Sequence, residues 1–164
     1  MLLVGGQEIV YDNYGKPTTY LGNALTWDGN DLVKVVSGTD EYVYEYDGKG
    51  RRIKKTVNGV QTNFIYDNGK LIRQIGEQTV DFIYGNGGVI GFKVANELYL
   101  YRKNLFGDVT HIFKADGTLV GGYTYTAFGE CVIGENVGGI ATLNPIRYRG
   151  YYYDTETNLY YLKT

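Results

Sequence analysis

Apolar and polar residues alternate along this chain in short stretches, and the alternation has the period of β-strands. In residues 42–46, tyrosines at positions 42, 44 and 46 alternate with Val43 and Glu45. Successive side chains of a strand point to opposite faces, so the three tyrosines share one face. The same spacing recurs at Phe64/Tyr66, Tyr99/Tyr101 and Tyr123/Tyr125. No segment keeps a 3.6-residue apolar period over three turns, so the pattern predicts strands and no helix of that length.

Pairs of Asp-Gly or Asn-Gly separate the predicted strands. Such pairs accept the positive φ angles of tight hairpin turns, so each one predicts a turn between two antiparallel strands. There are six of them: Asp28-Gly29, Asp47-Gly48, Asn58-Gly59, Asn68-Gly69, Asn86-Gly87 and Asp116-Gly117. We expect Gly50, Gly69 and Gly87 to set the turns of their modules.

An aromatic residue close to Asp, Asn or Gly marks a repeated module. The aromatic positions are Tyr11, Trp27, Tyr46, Tyr66 and Tyr84, which lie 16, 19, 20 and 18 residues apart. Each module therefore predicts one hairpin, and the series predicts an all-β fold with one aromatic face and one mixed face. We expect aromatic rings of neighbouring strands to touch along the aromatic face, where cross-strand pairs each contribute about 0.2–1 kcal/mol.

Composition and charge exclude several classes of protein. The chain has 164 residues, which fits one domain, and 18 acidic against 16 basic residues leave a formal charge of −2. This balance provides no cationic surface for nucleic acid. One cysteine cannot form an internal disulfide, and no apolar run reaches the roughly 20 residues of a membrane span. The first residues do not resemble a signal peptide.

The candidate reactive groups are few. His111 and Cys131 are the single residues of their types, and we expect both to be structural. The acidic cluster Asp28–Asp31 lacks the spacing of a calcium loop, so turn chemistry is the better interpretation. The basic run 51–55 is interpreted as a solvated strand. We predict no catalytic residue, no metal ligand and no cofactor.

Residues 38–59 resemble the YD repeat of the Rhs (rearrangement hot spot) family, which combines a Tyr-Asp pair with Gly-Arg-Ile. Tyr46, Asp47, Gly50, Arg51 and Ile53 match the pattern position by position. A second copy at residues 63–76 keeps the Tyr-Asp pair and the glycine but has Lys70 at the arginine position. The copies near Trp27 and Tyr84 are weaker.

Residues 99–161 are similar to the Rhs-associated core region that closes the repeat array. The similarity lies in residues 104–109, in residues 125–129 and in the run from Asn144 to Tyr161. Asn158 stands where the family usually has glycine, and asparagine tolerates a left-handed turn. The resemblance therefore covers about residues 9–164.

The resemblance implies a twisted, spirally wound sheet of antiparallel hairpins, either an open shell segment or a small barrel-like roll. It implies YD-repeat hairpins in residues 1–97 and a core-like region in residues 98–164, within one continuous structural unit. It also implies a repeat signature, with tyrosines linking the sheet and Asp154 in a turn. The signature residues are Tyr46, Asp47, Gly50, Arg51, Tyr66, Asp67, Gly69, Tyr84, Gly87, Tyr101, Gly107, Tyr125, Gly129, Arg147, Tyr148, Gly150, Tyr153 and Asp154.

The function implied by the resemblance is a non-enzymatic β-scaffold, part of a shell that encloses a C-terminal toxin in a polymorphic toxin system. The expected partners are the rest of the parent shell and its toxin, and the expected location of the parent is outside the cell or on its surface. The sequence stops before the Asp-Pro motif of the family's autoprotease, so we expect a segment of a longer protein without that activity.

Two alternatives stay open. Exposed tyrosines stack well on sugars, which would make the chain a carbohydrate-binding or cell-surface adhesion module. Open sheet edges also invite pairing with a second copy of the chain.

Overall fold

The computed structural model describes residues 2–4 and 7–162, which fold almost entirely into β-strands. The chain forms two compact units. The first contains residues up to Ile65 together with Ile75–Glu77, and the second contains Tyr66–Gln74 and the residues from Gln78 onward.

The first unit is a sheet of antiparallel strands that pair in chain order. Its strands are β1 (Leu2–Val4), β2 (Gln7–Tyr11), β3 (Pro17–Tyr20), β4 (Asn23–Asp28), β5 (Asp31–Ser37), β6 (Asp40–Tyr46), β7 (Arg52–Val57) and β8 (Val60–Asp67), whose last two residues belong to the second unit. This is the hairpin series that the repeated module predicts.

The second unit continues the same plan with a sheet and one additional hairpin. Its strands are β9 (Lys70–Ile75, the last residue belonging to the first unit), β10 (Thr79–Gly85), β11 (Gly88–Val94), β12 (Glu97–Lys103), β13 (Val109–Lys114), β14 (Leu119–Tyr125), β15 (Cys131–Asn136), β16 (Tyr152–Asp154) and β17 (Leu159–Tyr161). The predicted all-β fold of successive hairpins is confirmed.

A single-turn helix, α1 (Ile140–Leu143), packs against β14 and β15. Short 3-10 turns occupy Val137–Gly139 and Tyr148–Gly150. A four-residue helix is too short to show a periodic pattern, which is why the sequence does not indicate it. Gly121 of β14 makes room for it, because a Cβ atom there would lie 3.3 Å from the Ala141 Cβ.

Both sheets have an unpaired outer strand. Among the residues that the structure describes, β1 pairs with β2 alone and β15 pairs with β14 alone. Neither unit closes on itself, so the open-sheet alternative is confirmed over the barrel-like roll.

The register shifts by one residue next to the module aromatics. The shifts lie between Val10 and Tyr11, Thr26 and Trp27, Glu45 and Tyr46, and Ile83 and Tyr84. In each case the extra residue lies in the strand that is paired with the aromatic one: Thr18, Val33, Ile53 and Ile90. A β-bulge bends its strand and increases the local twist, and the alternation of side chains alone does not predict it.

The buried face of the first unit combines aromatic and aliphatic side chains. Leu25, Val35, Tyr42 and Tyr44 form its core, with Trp27 and Tyr46 among the side chains packed against it. Tyr42, Tyr44 and Tyr46 lie on this face, as the alternation predicts. The opposite face is mixed, since Ile53 is partly exposed beside the Lys54–Glu45 ion pair.

The second unit buries Phe92, Val109, Ile112 and Val120 almost completely. The Phe92 ring stacks on Tyr99 with centroids 5.0 Å apart and lies 5.7 Å from the Tyr101 ring. Tyr99 and Tyr101 thus share a face, as predicted. Val109, Ile112 and Val120 are aliphatic, so this buried face contains more aliphatic side chains than the alternation of aromatic residues in the sequence indicates.

Tight turns are confirmed at Asn58-Gly59 and Asn68-Gly69, where both residues have positive φ. Two turns differ from the expectation. Gly87 does not have a positive φ, and Gly88 takes that conformation with φ +98°. Likewise the residue with positive φ after Asp47 is Gly50, not Gly48. The five-residue turn at residues 47–51 has its left-handed residue at the fourth position, whereas Gly88 is the first residue of β11, directly after the two-residue loop Asn86-Gly87.

Candidate functional site

Four aromatic residues, three of the module aromatics and Tyr125, connect neighbouring strands through their polar ring atoms. Each one stands near the end of a strand and donates a hydrogen bond to a backbone carbonyl of the preceding strand. The pairs are Trp27 Nε1 to Pro17 O (2.7 Å), Tyr46 OH to Leu32 O (2.7 Å), Tyr84 OH to Leu71 O (3.0 Å) and Tyr125 OH to Val109 O (2.6 Å). We call these four hydrogen bonds the aromatic ties.

The aromatic ties have a common physical origin. Each carbonyl lies near the beginning of its strand, where antiparallel geometry brings it beside the end of the next strand. A phenol or indole can bury its ring against the sheet and still satisfy its polar atom there. The ties thus add a side-chain link to the backbone ladder in both units.

The remaining predicted linking tyrosines have other partners. Tyr101 OH donates to Asn144 Oδ1 at 2.6 Å, and Tyr153 OH donates to Asn158 Oδ1 at 2.7 Å. Tyr66 lies half-buried in β8. Asn158 has φ +57°, which confirms its expected left-handed turn.

Asp47, Gly50 and Arg51 come together in the turn between β6 and β7. Asp47 Oδ1 accepts hydrogen bonds from the backbone N–H groups of Lys49 and Arg51, both at 2.9 Å. Asp47 Oδ2 accepts one from Arg51 Nε at 2.8 Å. The backbone and side-chain hydrogen bonds from Arg51 lower the pKa of Asp47 to about 2. The carboxylate therefore organises the turn and is not available as a proton carrier.

The corresponding Asp67 of the second copy lies exposed in β8, before the tight turn at Asn68-Gly69. The shorter loop there leaves no room for the five-residue arrangement of Asp47. The second copy thus keeps the Tyr-Asp pair and the glycine of the repeat signature but forms a shorter turn.

Five-residue turns recur at three other signature glycines. Gly107, Gly129 and Gly150 all have positive φ and all donate to the carbonyl three residues earlier. Gly129 has a second requirement, because a Cβ atom there would come within 2.8 Å of the Tyr148 ring.

A buried cluster around Arg147 holds the C-terminal segment of the second unit. Its guanidinium donates to Ala141 O and Thr142 O at 3.3 and 3.2 Å. The same group lies 4.4 Å from the Tyr153 ring centroid and 5.3 Å from that of Tyr123. A guanidinium that loses water gains stabilisation from such carbonyls and ring faces.

Asn144 completes this cluster, and our sequence analysis gave it no role. Its amide is fully buried, accepts from Tyr101 OH and donates to Tyr123 OH (3.1 Å) and Ile146 O (2.7 Å). Burial raises the pKa of Tyr123 to about 12. An Asn-Pro pair within an apolar stretch is the sequence signal that could have indicated a buried polar anchor.

Tyrosine rings form a continuous row in the second unit. Neighbouring centroids are separated by 4.8–6.2 Å along the series Tyr123, Tyr125, Tyr148, Tyr160 and Tyr153. Tyr148 also donates its hydroxyl to Ala127 O at 3.2 Å. Asp154, which ends β16, is buried, and its carbonyl accepts from Thr157 N in the following turn at 3.3 Å. The predicted contact between rings is therefore present here.

The candidate reactive groups have structural surroundings. His111 lies in β13 with its ring stacked on Phe113, centroids 6.1 Å apart. Burial raises the pKa of the Cys131 thiol, which favours its unreactive protonated form. Within residues 2–4 and 7–162, no three His, Cys, Asp or Glu side chains are grouped to hold a metal ion.

The basic run and the acidic cluster behave differently from each other. Asp28–Asp31 forms the turn between β4 and β5, as expected. The expectation of a solvated basic strand is wrong for Arg52 and Lys55, which are buried. Arg52 places its guanidinium 4.1 Å from the Tyr44 ring centroid, because its long side chain lies along the aromatic face.

Residues 4–164 match the family model described as Teneurin YD-shell. The chain belongs to this YD-shell family of β-scaffolds, which confirms the predicted Rhs/YD-repeat membership. In the part of the chain that the structure covers, no helix is long and apolar enough to cross a membrane.

Curated relatives agree with this assignment. The chain is 36% identical over 170 residues to the tRNA3(Ser)-specific nuclease WapA of Bacillus spizizenii and to the tRNA nuclease WapA of Bacillus subtilis. The match covers 97% of this chain and 7% of each relative, so the chain corresponds to a small part of those proteins.

Solved structures show the same fold. The crystal structure of TcdB2-TccC3-Cdc42 superimposes with a TM-score of 0.73 at 20% identity, over 92% of this chain and 9% of that chain. A Photorhabdus luminescens Tc holotoxin pore structure with a TccC3 mutation gives 0.69 at 19% identity, over 92% and 8%.

Proposed function

We propose that this chain is part of the wall of a YD-repeat shell that encloses a toxin segment of its parent polypeptide. The aromatic ties carry this proposal. They recur in both units, each of the four joins its own strand to the preceding one, and each leaves the polar atom of its ring occupied by the protein itself. An enclosing wall needs a cohesive sheet and no reactive group.

The wall itself has no catalytic role in this proposal. The curated relatives are named as tRNA nucleases, but the chain corresponds to 7% of their length. Burial raises the pKa of the Cys131 thiol in spite of the nearby Arg147, and the His111 ring stacks on Phe113, so both surroundings favour a structural role. We expect the purified chain to leave tRNA intact under conditions in which a full-length WapA cleaves it; cleavage by the chain alone would refute this part.

The expected partners are further YD repeats of the parent and the enclosed segment, in a parent that acts outside the producing cell. The unpaired sides of β1 and β15 are where additional strands can join, because an edge strand presents free backbone donors and acceptors. The domain boundary predicted at residues 97/98 stays a prediction.

Protease protection of the full-length parent tests enclosure. We expect the C-terminal segment to resist trypsin in the native parent and to be cut when Tyr46 and Tyr125 are both replaced by leucine. The matched control is the same pair of replacements at Tyr14 and Tyr151, outside the aromatic ties. A C-terminal segment that is cut equally fast in all three proteins would contradict enclosure.

The carbohydrate alternative depends on tyrosines that face solvent. Tyr46, Tyr84 and Tyr125 are partly buried and donate their hydroxyls to carbonyls, whereas Tyr14 is exposed. Carbohydrate binding stays a prediction, which a glycan array with the purified chain would test.

A further inference from the structure

A groove of about 550 Å³ opens in the second unit between two five-residue turns. One turn is residues 104–108, which joins β12 and β13, and the other is residues 126–130, which joins β14 and β15. Phe106 and Ala127 line its sides, and Tyr125, Tyr148 and Arg149 also contribute to the lining. Nothing in the shell proposal requires this groove.

Large apolar side chains stand at the tips of both turns. Leu105, Phe106 and Phe128 are 102%, 75% and 98% exposed. A group of apolar side chains beside a groove, rather than one isolated residue, is the usual mark of a binding surface. The tips of the two turns beside the groove are therefore suited to bind a ligand with a bulky apolar group.

Arg149 is held in a strained conformation at this groove. Its turn, residues 147–151, has the backbone hydrogen bonds of the turns at residues 12–16, 47–51, 104–108, 114–118 and 126–130. In those turns the third residue has an ordinary φ, whereas Arg149 has φ +53°. A left-handed conformation is unfavourable for a residue with a Cβ atom. A strained residue at a groove is a reason to look for function.

Asp108 maintains this conformation. The residue is only 5% exposed, and its Oδ1 accepts from the Arg149 backbone N–H at 2.8 Å. Its Oδ2 accepts from Asn104 Nδ2 at 2.6 Å. The carboxylate therefore holds the backbone of Arg149 in this conformation.

The Arg149 guanidinium lies at the groove beside Tyr148, 5.3 Å from its ring centroid. A side-chain hydrogen bond with Tyr148 raises the pKa of Arg149, so the group is charged and holds one of its several N–H donors on that ring. A guanidinium presents parallel N–H donors that match the two oxygens of a carboxylate. Among the described lining residues Arg149 is the cation and Asp108 is the anion, and both oxygens of the buried Asp108 carboxylate already accept hydrogen bonds from Arg149 N and Asn104 Nδ2. A single negative charge therefore fits this groove better than a polyphosphate does.

We propose that this groove binds a polypeptide carboxylate that is carried beside a bulky apolar side chain. Arg149 pairs with the carboxylate, and Phe106 with Tyr148 packs against the apolar group.

The test uses the complete chain, labelled with ¹⁵N, and follows amide chemical shifts by NMR. The probe is N-acetyl-L-phenylalanine, with N-acetyl-L-phenylalaninamide as the uncharged match. We expect shifts confined to residues 104–108, 124–127 and 148–150. We also expect the amide to bind about tenfold more weakly, the loss typical of a charged hydrogen-bonded pair.

Variants distinguish the effect of the Arg149 charge on binding from an effect of its turn conformation. Arg149→Asn keeps a residue that accepts positive φ and should remove the preference for the acid, whereas Arg149→Lys should retain part of it. Phe106→Ala should weaken both probes, and this exposed residue can change without loss of folding. Lys49→Asn, at the same position of the turn at residues 47–51, is the matched control and should bind like the original chain.

Equal affinity for acid and amide in the unaltered chain would overturn the proposal, and this comparison does not depend on any variant folding. Shifts spread outside the groove would also overturn it. Tighter binding of glucuronate than of N-acetyl-L-phenylalanine would overturn it in favour of a sugar ligand.

Discussion

At the residue scale, one polar ring atom decides whether an aromatic ring of the ties only packs or also connects two strands. Replacing Tyr125 with phenylalanine keeps the ring and removes the donor to Val109 O. We expect the free energy of unfolding to fall by about 1 kcal/mol, the net value of one such hydrogen bond. Urea unfolding measures it. Tyr14→Phe, at an 89% exposed position, is the matched change and should have no effect; an equal loss in both variants would refute the tie.

Asp47 gives the protein a specific sensitivity to acid. Its pKa is lowered from 3.8 to about 2 in the folded chain. A lowered folded-state pKa contributes stability above the unfolded-state value, and this contribution is lost as pH falls from about 4 to 2. We expect Asp47→Asn to remove this decrease of stability between about pH 4 and pH 2. The asparagine amide oxygen can still accept the hydrogen bonds of the turn, as the Asn104 side chain does in its own turn. Unfolding midpoints between pH 6 and pH 2 measure the difference, and parallel curves would contradict it.

At the element scale, the hairpins show what local sequence can determine. The alternation at residues 42–46 and the pair Asn68-Gly69 predict strand faces and a tight turn, because both depend on neighbouring residues only. The bulge opposite Tyr46 and the shift of the left-handed residue from Gly87 to Gly88 depend on how two strands pair. Asn144 meets Tyr101 from 43 residues away, and that contact has no local signal.

The turn between β10 and β11 permits a test within two adjacent residues. Neither Gly87 nor Gly88 has an atom within 4 Å of the position that a Cβ would take, so any effect comes from the backbone. Gly88→Ala should lower stability by about 1 kcal/mol, because its φ of +98° disfavours a side chain. Gly87→Ala should cause no loss. Thermal unfolding of the two variants checks this, and the reverse order would mean that the turn is of another type.

At the scale of the whole molecule, buried tyrosines link folding to alkaline pH. Burial raises the pKa of several tyrosines of the second unit: Tyr84, Tyr101, Tyr123, Tyr125, Tyr153 and Tyr160. A raised folded-state pKa contributes stability below the unfolded-state value near 10, and this contribution is lost as pH rises beyond it.

We therefore expect unfolding and tyrosinate formation to occur together above pH 10. Circular dichroism and absorbance at 295 nm, recorded on the same samples, follow the two processes. The chain in concentrated urea is the control, and there the tyrosines should ionise near pH 10. Ionisation of every tyrosine while the strand signal persists would show that the rings are open to solvent.

The chain matches 9% and 8% of the chains in the two TccC3 structures, so the central claim at this scale is the proposed wall to which the chain would belong. Electron cryomicroscopy of the full-length parent is the most direct measurement. We predict that residues 4–164 lie within a closed β-sheet wall, with the aromatic ties in place and density for the C-terminal segment inside. A map that shows these residues as a separate module outside any enclosure would contradict the account.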